Sequence, residues 1–245
     1  MNGGLDDDIQ LWETSADAWI SILSTRGDKS RQFLDPRIWD ILGDVTGKQV
    51  LDVGCGEGRF CRQLAEKGAE VTGLEPTPKL FERAKDLGGG ATYISGRAEQ
   101  LPFPDNSFDI VIFYLALIDI EPFESAVTEA FRVLKPGGKC VVANCTSMNT
   151  ASNRFWERNE EGKRTAWLVE HYGTRQRVIA EWSGIKVHNY HRPLGSYFQH
   201  FLSLGFSLKH YDEPIPTEAE MQAIPGLEPH LIVPLFNLHV WQKPD

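Results

Sequence analysis

Apolar residues at Ile9, Leu11, Trp12, Ala16, Trp19, Ile20 and Leu23 recur at helical spacing, the pattern of a helix with one buried face. A second helix is expected over "DPRIWDILGDV", with Asp35 as N-cap and Pro36 at the first helical position. Short apolar runs then alternate with amphipathic stretches. "QVLDVG", "AEVTGLEP", "ATYISGRA", "FDIVIFYLAL" and "GGKCVVANCT" read as strands. "GRFCRQLAEKG", closed by Gly68, "TPKLFERAKDLG" and "PFESAVTEAFRVL" read as the helices between them. Such alternation specifies a parallel sheet covered by helices on both faces.

The alternation breaks after Cys145. Residues 147–190 carry Trp156, Trp167, Tyr172, Trp182 and Tyr190 among many charges, without a clean period. That is too long for an ordinary connection and reads as a functional cap. Order resumes with a helix at "LGSYFQHFLSLG" and a strand at "FSLKHYDEP". "HLIVPLFNLHVWQKP" is the last strand, where Pro234 argues for a bulge or a sheet edge.

Composition narrows the function. The 245 residues suffice for one large α/β domain. A net charge of -9 argues against a broad phosphate-binding surface and so against a nucleic-acid partner. No apolar run has the length of a membrane span, and the acidic start lacks the layout of a signal peptide. Cys55, Cys61, Cys140 and Cys145 show no metal-finger pairing. The expectation is a cytoplasmic protein with reduced thiols, no metal and an open oligomeric state.

"LDVGCGEGRF" carries the chemistry. Gly54, Gly56 and Gly58 alternate directly after a strand and before a helix. Glycine permits a sharp turn and lets a ligand touch the backbone, beside the positive end of the helix. The dinucleotide fingerprint G-x-G-x-x-G would place its third glycine at Arg59, so that reading fails at one position. No G-K-[ST] follows, which excludes a P-loop. Glu75 ends the second strand 17 residues after Gly58, placed to accept both hydroxyls of a ribose. Ala98 and Glu99 follow the third strand, where a backbone and a carboxylate can meet a base.

"VLDVGCGEG", "GLEP", "GRAEQLPFPDNSFDIVI" and "EAFRVLKPGG" together resemble the successive motifs of class I S-adenosylmethionine-dependent methyltransferases. The similarity is to the small-molecule branch that includes ubiquinone/menaquinone-biosynthesis methyltransferases, and covers residues 45–145. It implies a Rossmann-like three-layer sandwich: a seven-stranded, mostly parallel sheet with an antiparallel last strand. To this are added N-terminal helices (1–44), a cofactor-binding core (45–146), a cap insertion (147–190) and a C-terminal helix and strands (191–245), all in one domain.

The resemblance implies S-adenosyl-L-methionine as cofactor. Gly54, Cys55 and Gly56 would line its methionine part, Glu75 its ribose, Pro76, Ala98 and Glu99 its adenine. Tyr114, at the end of the fourth strand, would sit beside the methionine part and the acceptor. "WETSADAW" resembles the family's Y-D-x-x-A-x-x-Y, so Trp19 would close over the cofactor. Arg31 is a candidate for the cofactor carboxylate, or else a solvated arginine.

Methyl transfer requires in-line alignment and exclusion of water, with a base where the acceptor carries a proton. "VHNYHRPLGSY" offers His188, Tyr190 and His191 as catalytic candidates. Strand alternation sets His188 and Tyr190 on one face and His191 on the other. His191 is the first candidate for a base or an acceptor-orienting group. Eight Lys or Arg against five Glu over residues 151–192 would favour a polar or anionic acceptor. The expected function is methyl transfer to a small molecule through O, N or S. The alternatives are an RNA methyltransferase or a non-catalytic cofactor-binding subunit.

Overall fold

The structure is a computed structural model, and it describes residues 3–25, 27–151 and 156–245. Two helices, α1 (Gly3–Thr25) and α2 (Lys29–Leu42), precede the sheet. The core then runs β1 (Gln49–Val53), α3 (Arg59–Glu66), β2 (Glu70–Glu75), α4 (Pro78–Leu87), β3 (Thr92–Ser95), β4 (Phe108–Tyr114), α5 (Phe123–Val133) and β5 (Leu134–Cys145). A short helix α6 (Ser147–Thr150) leads into two hairpins, β6 (Trp156–Arg158) with β7 (Arg164–Trp167) and β8 (Gln176–Trp182) with β9 (Ile185–His191). The chain ends with α7 (Leu194–Ser203), β10 (Ser207–Asp212), α8 (Glu218–Ala223) and β11 (Phe236–Gln242).

The seven-stranded sheet has the order β10-β11-β5-β4-β1-β2-β3. β1 to β5 pair in parallel, and β11 is antiparallel to both of its neighbours. The sheet therefore matches the expected seven-stranded form. Its central strands are apolar on both faces because both are covered. On one face Leu51, Val111, Phe113 and Val142 pack with Phe123, Phe201 and Trp241. On the other, Val50, Ile112 and Val141 pack with Phe33, Ile38, Phe60 and Leu64.

Three local readings are corrected. Asp35 and Pro36 lie inside α2, whose N-cap is Asp28; its carboxylate accepts from the Ser30 and Arg31 amides. Asp35 instead accepts two hydrogen bonds from Arg59. The fourth strand stops at Tyr114, since Leu115 has a φ of 55° and Leu117–Asp119 form a 3-10 turn. Pro234 causes no bulge or edge. It precedes β11, an interior strand, and its carbonyl accepts from Thr146 Oγ1.

The cap resolves into hairpins rather than an irregular loop, with residues 152–155 outside the described set. Its period was hidden because exposed and buried positions alternate only in β8 and the start of β9. Ala180, Ile185 and Val187 pack with Ala16, Trp19 and Leu80, which fastens the second hairpin to α1 and α4.

Candidate functional site

β1 and β4 are neighbours although their crossovers leave in opposite directions, and a crevice opens beyond the carboxyl ends of the strands at such a point. A cavity lies there. The turn after β1 and the end of β2 form its floor, and α1 forms its roof.

Each glycine of the turn has its own reason. A Cβ on Gly54 would stand 2.8 Å from that of Ala116, and one on Gly58 would strike the Tyr93 ring. Gly56 has a φ of 60°, and a Cβ there would meet only the Trp19 indole nitrogen, at 3.6 Å. It faces the cavity, so its missing side chain leaves the backbone open to a ligand.

Glu75 stands beneath it, 5% exposed. One carboxylate oxygen accepts from the Gly56 amide at 2.8 Å and the other from the Thr77 amide at 2.9 Å. A carboxylate has about four lone-pair sites, so acceptor capacity remains toward the cavity. Burial raises its pKa, against the lowering by these amides. Asp52, 2% exposed, also lines the cavity. Its Oδ2 accepts from the Cys61 thiol, and its Oδ1 has no partner. Burial pushes its pKa up to about 6. An orphaned, buried carboxylate oxygen fits a ligand that brings a cationic donor such as an ammonium.

Arg31 supplies the opposite charge. Its guanidinium lies 5.1 Å from the Trp19 ring centre and 5.0 Å from that of Tyr114, a double cation–π contact. Its only described ion-pair partner, Asp28, is 4.0 Å away. That leaves it suited to a ligand carboxylate. Arg59 differs, because Asp35 already takes it at 2.5 and 2.9 Å. The Tyr114 hydroxyl donates to the same Asp35 at 2.6 Å, which joins β4, α2 and α3.

All ten residues expected at the cofactor line this one cavity: Gly54, Cys55, Gly56, Glu75, Pro76, Ala98, Glu99, Tyr114, Trp19 and Arg31. The three catalytic candidates do not. His191, 1% exposed, points away, with Nδ1 against Thr150 Oγ1 at 2.7 Å and Nε2 against the Tyr172 carbonyl at 2.9 Å. His188 and Tyr190 face the other way, as alternation requires, and both bond Asp8 of α1, at 2.6 and 2.8 Å. The reading of His191 as a base facing the acceptor is therefore corrected: it braces the cap against α6.

Sequence reasoning missed Asp8 and Asp119, which do line the cavity. Asp8 lay hidden in an acidic run, although it stands four residues before Trp12 on the same helical face. Asp119 lay in the short stretch between the run read as strand, which ends at Leu117, and the helix read from Pro122. The basic excess of the cap also has another meaning. Arg158 bonds the Gly162 carbonyl, Arg164 lies over Trp156 and Arg175 pairs with Glu124, all away from the cavity. The expectation of a polar or anionic acceptor loses this support.

Among the described residues, no helix is long and apolar enough to cross a membrane and no cluster could hold a metal. Residues 51–142 match the methyltransferase domain family. A stretch of 94 residues is 45% identical to an uncharacterized methyltransferase of Synechocystis, covering 38% of this chain and 44% of that protein. Another of 104 residues is 38% identical to a demethylmenaquinone methyltransferase of Tropheryma whipplei, covering 42% and 44%. The matches thus span under half the length of these curated relatives. The crystal structure of an S-adenosylmethionine-dependent methyltransferase from Mesorhizobium loti superposes with a TM-score of 0.80 at 30% identity, covering 88% of this chain and 100% of that one. A likeness that takes in the whole of that protein, far beyond the glycine turn, makes this chain a member of the S-adenosylmethionine-dependent methyltransferase family.

Proposed function

We propose that this chain transfers a methyl group from S-adenosylmethionine to a small-molecule acceptor in the cytoplasm. One observation carries the reading. A single cavity joins a glycine turn, a strand-end carboxylate with spare acceptor capacity, an orphaned aspartate oxygen and an arginine held between two aromatic rings. These match, group for group, a ligand with a ribose, an ammonium and a carboxylate.

When bound, the cofactor supplies a methyl group activated by a sulfonium charge. This chain's residues supply position and dryness. Glu75 would hold the ribose hydroxyls, Asp52 the ammonium and Arg31 the carboxylate. Pro76, Ala98 and Glu99 would border the adenine. Trp12 and Trp19, edge to face at 6.3 Å, roof the cavity and exclude water. The acceptor would enter between α1 and the turn after β4, where Ile9, Leu115 and Ile120 offer apolar surface. Cys55, Cys61 and Cys140, the last two buried, form no disulfide, which fits a reducing compartment. The net charge of -9 and the acids on the cavity wall favour a small molecule over RNA.

Calorimetry should show binding of S-adenosylmethionine and of S-adenosylhomocysteine. A screen of small phenols, amines, thiols and carboxylic acids should then release S-adenosylhomocysteine with at least one class. Affinity for NAD with none for the methyl donor would overturn the proposal. Tight binding without turnover on any class would favour a non-catalytic subunit.

A further inference from the structure

With the cofactor groups assigned, the cavity wall still holds one carboxylate whose surroundings no cofactor role explains. Asp119 lies on the 3-10 turn after β4 and lines the cavity. Asn189 Nδ2, from β9, donates to its Oδ1 at 2.5 Å. The Trp12 indole, from α1, lines the cavity beside it and favours its charged form. Three segments distant in sequence therefore meet on one side chain, beside the apolar surface at Leu115 and Ile120.

Asn189 is itself fixed. It sits between His188 and Tyr190, both bonded to Asp8. Below the turn, the Arg192 guanidinium donates to the carbonyls of Leu117, Ile120 and Glu121 and so holds the loop in place. The carboxylate is presented by a rigid frame, as a catalytic group must be.

Resting on the methyl-transfer reading, we infer that Asp119 is the residue that takes the proton from an acceptor N–H or O–H. The acceptor's heteroatom loses its proton to an Asp119 carboxylate oxygen. Its electron pair forms the bond to the methyl carbon, and the carbon–sulfur bond breaks with its pair kept by sulfur. Asp119 then releases the proton to solvent through the cavity mouth. Acceptors that arrive as carboxylates are disfavoured, because they would approach Asp119 and Asp8 with like charge.

The titration of Asp119 suits this task. Its pKa is raised to about 8, chiefly by burial with Asp8 adding to it, against the lowering by the Asn189 donor, the Arg31 charge and the Trp12 indole. The other ionisable groups nearby are His188 and Tyr190 on β9, turned toward Asp8, Arg192 below the loop, and Glu121 at the mouth. A base near pH 8 is better matched to a phenol or an ammonium than an ordinary carboxylate.

The test uses the full chain with Asp119→Asn and Asn189→Ala. Infrared difference titration of the unmodified protein against Asp119→Asn needs no acceptor and should show a carboxyl band titrating near pH 8. With an amine or phenol acceptor, kcat/KM should rise about tenfold per pH unit up to about 8. Asp119→Asn should cost a factor of about 10²–10⁴ and abolish the rise. Asn189→Ala should move the rise to higher pH, because it removes a donor to the charged form. S-adenosylhomocysteine affinity should stay within about twofold in Asp119→Asn, which also reports folding. The inference is overturned if no carboxyl titrates near pH 8, or if Asp119→Asn keeps its rate or its pH rise. It is also overturned if that variant weakens S-adenosylmethionine but not S-adenosylhomocysteine, since Asp119 would then face the sulfonium. Failure of the unmodified protein to bind either ligand would instead sink the methyl-transfer reading itself.

Discussion

Single side chains at this site carry two duties at once, and Glu75 is the clearest case. It lines the cavity, where the proposed function gives it the ribose, and also satisfies the buried amides of Gly56 and Thr77. Glu75→Ala removes charge-assisted bonds of about 1.5–3 kcal/mol, so cofactor affinity should fall roughly tenfold to a hundredfold. It also strands two amides and should lower stability. Glu75→Gln, which keeps one acceptor oxygen, should weaken binding with a smaller stability loss, as calorimetry and thermal melts together would show. Unchanged affinity in both variants would reduce Glu75 to a turn brace. Asp52 predicts a pH effect. Its folded pKa is raised to about 6 by burial, so its carboxylate is lost as pH falls through that value. Affinity for the cofactor should then drop below about pH 6, and Asp52→Asn should flatten the dependence.

At the scale of elements, α1 is a strap across the cavity, and magnitudes decide what holds it. Lys79 reaches Asp17, and Arg97 reaches Asp6, but these pairs are largely exposed. Exposed pairs contribute about 0–1 kcal/mol. The buried contacts weigh more: Ala16 and Trp19 against Ile185 and Val187, the Ser15 hydroxyl exchanging bonds with Lys186, and Asp8 accepting from His188 and Tyr190. Asp17→Ala should therefore change unfolding free energy by less than about 0.5 kcal/mol. Asp8→Ala strands the Tyr190 hydroxyl and the His188 nitrogen, and should cost about 1–3 kcal/mol in denaturant melts. Equal effects would mean that the strap is held by its surface charges. α2 is tied differently, through the bidentate Arg37–Glu220 pair to α8, where Glu220 also closes a capping box with Thr217.

For the whole molecule, buried titratable groups set how stability varies with pH. Asp52 and Asp119 have folded pKa values raised to about 6 and about 8, so the folded chain holds protons that the unfolded chain has lost. Their contribution falls as pH rises from about 4 through those values. His230 and His239 are buried and lowered to about 4 and about 3, so the unfolded chain gains protons first as pH falls below 6.5. Their contribution falls with acidification. The two pairs oppose each other between about pH 4 and 6. Of these four groups only Asp119 still titrates above about 6.5, so its contribution should decline toward pH 8, by at most about 1.4 kcal/mol per unit. Denaturant midpoints across that window should slope downward for the unmodified protein and run flat for Asp119→Asn.

What the linear order of residues specified was everything carried by local backbone rules. The glycine turn at Gly54–Gly58, the strand-end Glu75 and the strand–helix alternation follow from left-handed backbone, helix periodicity and burial on both sheet faces, each within about ten residues. Gly54, Gly56, Glu75, Ala98 and Glu99 were legible from such local signals, whereas Cys55, Pro76, Tyr114, Trp19 and Arg31 entered through the resemblance of whole motifs to the methyltransferase family; all ten line one cavity. The acceptor side was not legible. On paper His191 stood out in a polar cluster, while Asp119, beside an apolar run, drew no notice. Their surroundings turn on contacts between segments some 40 to 70 positions apart, Thr150 on His191 and Asn189 on Asp119. Strand alternation could separate His191 from His188 and Tyr190, yet which face met the cavity was settled only when β8–β9 packed against α1. Burial then raised Asp119 and left His191 bonded at both nitrogens, because desolvation and partner geometry are properties of the assembled chain.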